Sequence, residues 1–348
     1  MSKKKELLNA IVTELEIRKT EINEPIETIY FGGGTPSVLS VKELNFILDA
    51  VYDKFNIIDK PEITIEANPD DLNNEKIVEL SKTKINRLSI GIQSFFNDDL
   101  KFMNRAHSSE EALNSLKIAI KHFRNISIDL IYGVPNLSNE KWIKNLEIAF
   151  DLGVNHISSY ALTVETKTAL YHNIKNGKIK PLNENKALEQ FTILLEKTRQ
   201  NNYINYETSN FGKANYFSKH NTSYWLGKQY IGIGPSAHSF NGKTRSWNVN
   251  NNIKYIKSLE NKVLPHQKEV LSQNDLFNEK VMIGLRTIWG ISVLEVENQF
   301  GLSIKKQLLK RIQKHLKNNT LQIIDNKITA TKKGKFLIDG IASDLFLV

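Results

Sequence analysis

Five short segments rich in branched apolar residues, 29–31, 63–67, 87–92, 126–132 and 156–162, recur at intervals of about 30 residues, and helical periodicity follows each of them. Such alternation leaves few folds open. It describes βα units around a parallel sheet, with helices expected over 41–55, 74–82, 110–122, 140–152 and 184–201. Leu7, Leu8, Ile11, Val12 and Leu15 put an amphipathic helix, not a strand, at the start.

Three polar residues interrupt the apolar segments at or near their ends: Glu66, Gln93 and Asp129. In a (β/α) barrel the carboxyl ends of the strands build the active site, so these side chains would converge on one mouth. Asp129 stands between Ile126, Ile128, Leu130 and Ile131, where a carboxylate is costly unless it is partnered. A structural carboxylate satisfied by a neighbouring loop is the other reading. For Glu66 and Gln93 taken singly, capping or turn roles compete with function. Gly32, Gly33 and Gly34 follow the first segment at once, then Thr35 and Pro36. This is either plain connection chemistry or a backbone ledge on which a small molecule can lie.

The chain has 348 residues, 47 basic against 38 acidic, for a net charge of +9. That balance suits anionic partners, although lysines spread along helices also make a solvated face. The sequence contains no cysteine. Disulfides, thiol nucleophiles, cysteine-based zinc sites and an iron–sulfur cluster held by thiolates of this chain are all excluded. No run approaches the 18 or so apolar residues of a membrane span, and Met-Ser-Lys-Lys-Lys-Glu at the start lacks the apolar core of a signal peptide. A cytoplasmic protein is expected.

From Tyr203 the alternation stops. Residues 203–211 read as a polar, aromatic strand, and a loop then leads to His220-Asn221-Thr222-Ser223-Tyr224-Trp225. In 230–240 the glycines Gly232 and Gly234 suggest a tight bend or backbone near a ligand. A short helix over 253–259 and a linker over 263–273 precede helices over 279–287, 293–300 and 305–318. Strands over 321–325 and 327–331 form a hairpin through Asn326, and a helix over 334–345 ends the chain. Helices followed by a hairpin wing resemble a winged helix, a module that binds DNA or serves only for packing. The expected domains are 1–202, a barrel; 203–262, a strand and loop extension; and 263–348, a helical winged-helix-like α+β domain.

Tyr-Phe-Gly-Gly-Gly-Thr-Pro-Ser at 30–37 resembles the S-adenosylmethionine (SAM) motif of radical SAM enzymes in the oxygen-independent coproporphyrinogen oxidase group. Glu66 in Glu-Ala-Asn-Pro, Gln93 in Ser-Ile-Gly-Ile-Gln-Ser-Phe, Arg105 in Asn-Arg-Ala-His and Asp129 in Ile-Asp-Leu-Ile-Tyr-Gly-Val-Pro follow the family order. The resemblance implies a partial (β/α) barrel and a SAM site made of Gly33, Gly34, Thr35, Glu66, Gln93, Arg105 and Asp129. Its chemistry is reasonable: the cofactor's carboxylate calls for a cation such as Arg105, and its ammonium, sulfonium and ribose diol call for acceptors.

His-Asn-x-x-Tyr-Trp at 220–225 and Gly-Ile-Gly-Pro-Ser-Ala-His-Ser at 232–239 are similar to the HemW-type heme chaperones of this group. That resemblance implies heme binding with His220 as axial ligand, His238 as a weaker second candidate, and Tyr224 and Trp225 packing on the macrocycle. Lys213, Lys219 or Lys228 would pair with propionates. It further implies delivery of heme to respiratory hemoproteins, peripheral membrane contact and no nucleic-acid partner. The alternative within the group is a coproporphyrinogen III oxidase-like enzyme of porphyrin biosynthesis.

The family places a strand and a Cys-x-x-x-Cys-x-Tyr-Cys loop ahead of the first helix, and the thiolates hold a [4Fe-4S] cluster. In this sequence Met1 falls just after the place where that loop would end, so the first barrel strand and all cluster ligands are expected to be missing. Either the chain starts at an internal methionine of a longer protein or it is a cluster-free descendant. As written it is expected to make no 5′-deoxyadenosyl radical.

Overall fold

A computed structural model describes residues 3–348. Two compact units divide the chain: a sheet unit, Tyr30–Val38 with Ile63–Ser218, and a second unit, Met1–Ile29 with Leu39–Glu62 and Lys219–Val348.

The order begins α1 (Lys4–Arg18), β1 (Ile26–Phe31), α2 (Val41–Lys54) and β2 (Ile57–Ala67). It continues through α3 (Asn74–Ser81), β3 (Arg87–Gln93), α4 (Asn97–Phe102), α5 (Ser109–His122), β4 (Asn125–Tyr132), α6 (Asn139–Asp151) and β5 (His156–Ala161). Next come α7 (Ala169–Lys175), α8 (Glu184–Gln200), β6 (Ile204–Glu207) and β7 (Asn210–Gly212). Local chemistry sets several of the starts. Ser40 with Glu43 and Ser108 with Glu111 form reciprocal capping boxes ahead of α2 and α5. Asn73 and Ser138 cap α3 and α6.

The seven strands lie in the order β1-β2-β3-β4-β5-β7-β6. Strands β2 to β5 pair in parallel, while β7 joins β5, and β6 joins β7, antiparallel. The segment read as one strand over 203–211 is therefore a hairpin of two. Successive strand residues face opposite sides. One side carries Ile63, Ile65, Leu88, Ile90, Ile92, Ile126, Ile128, Leu130 and Ile157, all buried. On the other side the register aligns Thr64, Arg87 and Asn125 in one row and Glu66, Ser89, Ser127 and His156 in the next. Both of these rows are polar.

Most of its buried groups are partnered. Ser127 Oγ lies 2.7 Å from His156 Nδ1, and His156 Nε2 lies 2.8 Å from the Tyr206 hydroxyl, which also accepts from Ser218 N at 3.3 Å. Ser158 donates to Asn210 Oδ1 at 2.7 Å. Burial, with the Arg87 charge nearby, holds the His156 imidazole well below its ordinary value, so it is neutral and splits donor and acceptor roles between its nitrogens.

The second unit continues with α9 (Lys219–Trp225), β8 (His238–Phe240), β9 (Thr244–Asn248), α10 (Asn252–Glu260) and β10 (His266–Val270). Residues 263–273 are thus no linker: β10 pairs with β9, and β9 with β8, in an antiparallel sheet. The remaining elements are α11 (Gln273–Leu285), β11 (Ile291–Ser292), α12 (Val293–Arg311), α13 (Gln313–Lys317), β12 (Leu321–Ile324), β13 (Lys327–Ala330), α14 (Lys332–Lys335) and α15 (Ile338–Leu345). Phe277, Val281, Val296, Leu308, Ile312, Ile328, Ile341 and Leu345 share one core there. The β12–β13 hairpin turns through Asp325 and Asn326, both with positive φ, the two-residue turn that matches strand twist.

A buried carboxylate organises the first part of this unit. Glu14 of α1, with no exposed surface, accepts from Arg18 Nη1 at 3.1 Å, Asn248 Nδ2 at 2.8 Å, Gly234 N at 2.8 Å and the Tyr255 hydroxyl. Arg18 in turn donates to the Gly232 carbonyl at 2.9 Å and to Ser239 Oγ at 3.0 Å. Glu14→Ala leaves the Asn248, Gly234 and Tyr255 donors without their acceptor and Arg18 with Glu21 as its remaining carboxylate, and is expected to cost about 3–5 kcal/mol, measured as a lower urea midpoint. A loss below about 1 kcal/mol would mean that water replaces the carboxylate.

Candidate functional site

All seven residues expected at the SAM site belong to the sheet unit. Glu66, at the end of β2, is fixed from two sides: the Tyr30 hydroxyl donates to Oε1 at 2.8 Å and Gly33 N to Oε2 at 3.1 Å. The glycine run supplies this geometry. A Cβ on Gly32 would stand 2.5 Å from the Tyr30 ring and 3.0 Å from Glu66 Oε1. Gly33 and Gly34 have φ of 74° and 64°, are exposed, and have no neighbour within 4 Å of where a Cβ would stand. Thr35 opens the turn Pro36–Val38, where Val38 N donates to its carbonyl at 3.2 Å.

Gln93 ends β3 at a register shift and has φ of 66°, a left-handed conformation that is strained for a side chain of this size. The turn after it is secured by Asn145 of α6, which accepts from Phe95 N at 2.7 Å and donates to Ser94 Oγ at 3.1 Å. Arg105 reaches back toward the same region. Its Nη2 donates to Asn68 Oδ1 at 2.9 Å and to the Gly91 carbonyl at 3.4 Å, while its buried Nε has no partner. Asn104, with φ of 54°, makes the bend, and the buried His107 ring bonds the Ile92 carbonyl through Nε2 at 3.1 Å. The Asn-Arg-Ala-His string is thus an aiming device for Arg105.

Asp129 of β4 pairs in register with Ser158 of β5. Desolvation, followed by the charge of Glu66, pushes its carboxyl up to about 7; the Ser158 hydroxyl, Arg87 and Arg105 act in the other direction without prevailing. Arg87 is a residue that strand patterning passed over. It opens β3 with 2% of its surface exposed, its Nε unpartnered, in one row with Thr64 and Asn125, whose Oγ1 and Oδ1 also lack partners. The signal was present: an arginine starting an otherwise apolar run.

His220 belongs to the second unit. It is not in a loop but in the first turn of α9, half-buried, with Nδ1 2.9 Å from Thr28 Oγ1 and the Tyr224 ring edge-on at 4.8 Å. His238 is exposed and stacks on Trp247 at 6.1 Å. The glycines of 232–239 serve a tight bend. A Cβ on Gly232 would meet the His238 carbonyl at 2.1 Å, and Gly234 docks on Glu14. Lys228 is paired with Glu27 at 2.8 Å, and Lys213 lies over the Tyr203 ring.

Residues 3–149 match the Radical SAM superfamily and residues 271–337 the HemN C-terminal domain. The heme chaperone HemW of Lactococcus lactis is 33% identical over 336 residues, spanning 94% of this chain and 88% of the relative; that of Bacillus subtilis is 32% identical over 341 residues, spanning 95% and 89%. The chain belongs to the HemW family. Its fold is a partial (β/α) barrel of the radical SAM type with an additional C-terminal domain. The structure of coproporphyrinogen III oxidase (HemN) from Escherichia coli, a radical SAM enzyme, shares it with a TM-score of 0.83 over 98% of this chain and 83% of that one, at 21% identity.

Radical SAM membership implies SAM and a [4Fe-4S] cluster. For SAM, a HemW-type chain with these residues fits: an open glycine ledge, a spare Arg105 donor and two carboxylates. For the cluster it does not fit. The sequence has no thiolate, and among the described residues no group of three or more His, Asp or Glu is placed to hold a metal ion. No helix among the described residues is long and apolar enough to cross a membrane.

Because the folded protein retains the Asp129 proton up to about 7 while an unfolded carboxyl releases it near 3.8, ionisation of Asp129 costs stability as pH rises through that window. Asp129→Asn removes this cost. The stability of the variant relative to wild type, from urea denaturation, should grow between about pH 4 and pH 7 and then level off. A difference independent of pH would place Asp129 in a solvated setting.

Proposed function

We propose that the protein is a heme-binding and delivery protein of the radical SAM fold, holding heme through His220 and SAM along Gly33, Gly34, Thr35, Glu66, Gln93, Arg105 and Asp129, and passing heme to respiratory hemoproteins. The observation that carries this reading is the setting of His220. An imidazole with Nδ1 already hydrogen-bonded and a tyrosine ring in T-shaped contact with it is prepared for axial ligation, in a chain whose relatives are named heme chaperones. The exposed Tyr224, at 40%, offers apolar surface beside the ring.

For SAM the roles divide by charge. Glu66 and Asp129 suit the ammonium, the sulfonium or the ribose hydroxyls, Arg105 the carboxylate, and the ledge at Gly33 and Gly34 gives main-chain contact. Bound next to a [4Fe-4S] cluster, SAM supplies radical chemistry; with no thiolate in this sequence, binding and transfer are the activity proposed here. The basic balance of +9 supports an anionic cargo or surface.

Titrating heme into the protein and following the Soret band is the deciding experiment. His220→Ala should weaken binding at least tenfold and remove the spectrum of an imidazole-ligated iron, whereas equal affinity and an identical spectrum would remove His220 from the account. In equilibrium dialysis with SAM, Arg105→Ala should lower affinity by about tenfold, the value of one charge-assisted contact of about 1.4 kcal/mol. Affinity of the wild type for this cation should rise as pH increases through about 7, where Asp129 ionises. An unchanged Arg105→Ala affinity would separate the site from SAM.

A further inference from the structure

Thr28 is on β1 and Glu62 on β2, and neither is in the sequence pattern that marks His220. Both hold it. Glu62, 5% exposed, accepts from Lys219 N at 3.1 Å and His220 N at 3.0 Å, so its carboxylate satisfies the first orphan donors of α9 and fixes the backbone that carries the imidazole. Ser223 Oγ closes the same turn on the Lys219 carbonyl at 2.9 Å. The ring is then held at Nδ1 by Thr28 Oγ1 and on its side by Tyr224, which itself stands edge-on to Tyr230 at 4.5 Å.

We propose that Thr28 is the positioning residue for heme ligation by His220: its hydroxyl accepts the Nδ1 proton and thereby assigns Nε2 to the iron. The proposal rests on the reading of His220 as the ligand. A neutral imidazole has one N–H and one lone pair, and only the lone-pair nitrogen can coordinate. A partner that accepts at Nδ1 puts the lone pair on Nε2, fixes the ring plane and makes Nε2 more basic. A threonine does this well because its β-branch restricts χ1 and keeps the oxygen in one place on a strand. Loss of such an outer partner lowers metal affinity by about 10- to 100-fold in comparable sites.

Thr28→Val keeps shape and removes the oxygen; Thr28→Ser keeps the oxygen. Heme titrations should show Thr28→Val weaker by about tenfold, with an axial-ligand spectrum shifted from that of wild type, and Thr28→Ser near wild type. A purely structural role would lower thermal stability in Thr28→Val and leave the spectrum unchanged, and that outcome overturns the proposal. If His220→Ala abolishes ligation while Thr28→Val matches wild type in affinity and spectrum, the ligand reading stands and the role of Thr28 falls. If His220→Ala changes nothing, both fall. Should Thr28→Val fail to fold, nitrogen-15 NMR of the wild-type imidazole without heme decides: an Nδ1–H tautomer is expected, and an Nε2–H tautomer overturns the proposal.

Discussion

The sheet unit depends on one constraint: a parallel sheet that is apolar on one face and polar on the other must find partners for every polar group it buries. Parallel strands covered by helices on both faces are commonly apolar on both, so the polar row through Glu66, Ser89, Ser127 and His156 marks a face that is not packed by hydrophobic side chains. Toward β5, β6 and β7 the partners are internal, through Ser127, His156, Tyr206, Ser158 and Asn210. Across β2, β3 and β4 they run short, at Thr64 Oγ1, Arg87 Nε, Asn125 Oδ1 and, from the following loop, Arg105 Nε. The side with unmet donors and acceptors has chemistry left for something other than the chain. Asp129 is desolvated on that face and stands near the Glu66 charge, and the two together, burial first, hold its proton.

The second unit solves a different problem, the burial of a charge pair. Glu14 and Arg18, one turn apart on α1, are both nearly inaccessible, and such a pair is favourable only when the remaining lone pairs and protons are also bonded. Gly232, Gly234, Ser239, Asn248 and Tyr255 supply those bonds together with Glu21, which accepts from Arg18 Nε and Nη2. The Gly-Ile-Gly-Pro-Ser-Ala-His-Ser string is therefore explained by α1: its glycines allow close approach, and its serine satisfies the guanidinium.

How far the sequence was legible follows from the range of the interactions. The five βα units and the hairpin through Asn326 are local, set by period and turn chemistry, and they lie near where patterning puts them. The misread segments are those where tertiary partners decide. Residues 266–270 carry His, Gln, Lys and Glu and look like a linker, yet they form β10 because β9 offers an open edge. Residues 219–225 have little apolar periodicity, yet they are helical because Glu62 caps them from 157 residues away. Family motifs gave roles to Glu66, Gln93, Arg105 and Asp129; they contain Tyr30 and Asn68 without a role, and they leave out Arg87 and Ser158, which are reached across strands and carry no local signature.

A carrier differs from a hemoprotein in that its last bond to the cargo must break. Under the proposed reading, one imidazole on a seven-residue helix is well suited to that task, because a helix so short has little stability of its own and owes its position to Glu62, Thr28 and Ser223. Thr28 and Ser223 each contribute one hydrogen bond, worth about 1 kcal/mol for a neutral pair, and Glu62 contributes two that its charge strengthens. On that reading, loosening one of them would change heme affinity by about an order of magnitude without dismantling either the sheet or the Glu14 pair. Affinity set through outer partners in this way can be lowered when a recipient competes for the iron, whereas affinity set by burial in a core could be lowered only by unfolding it.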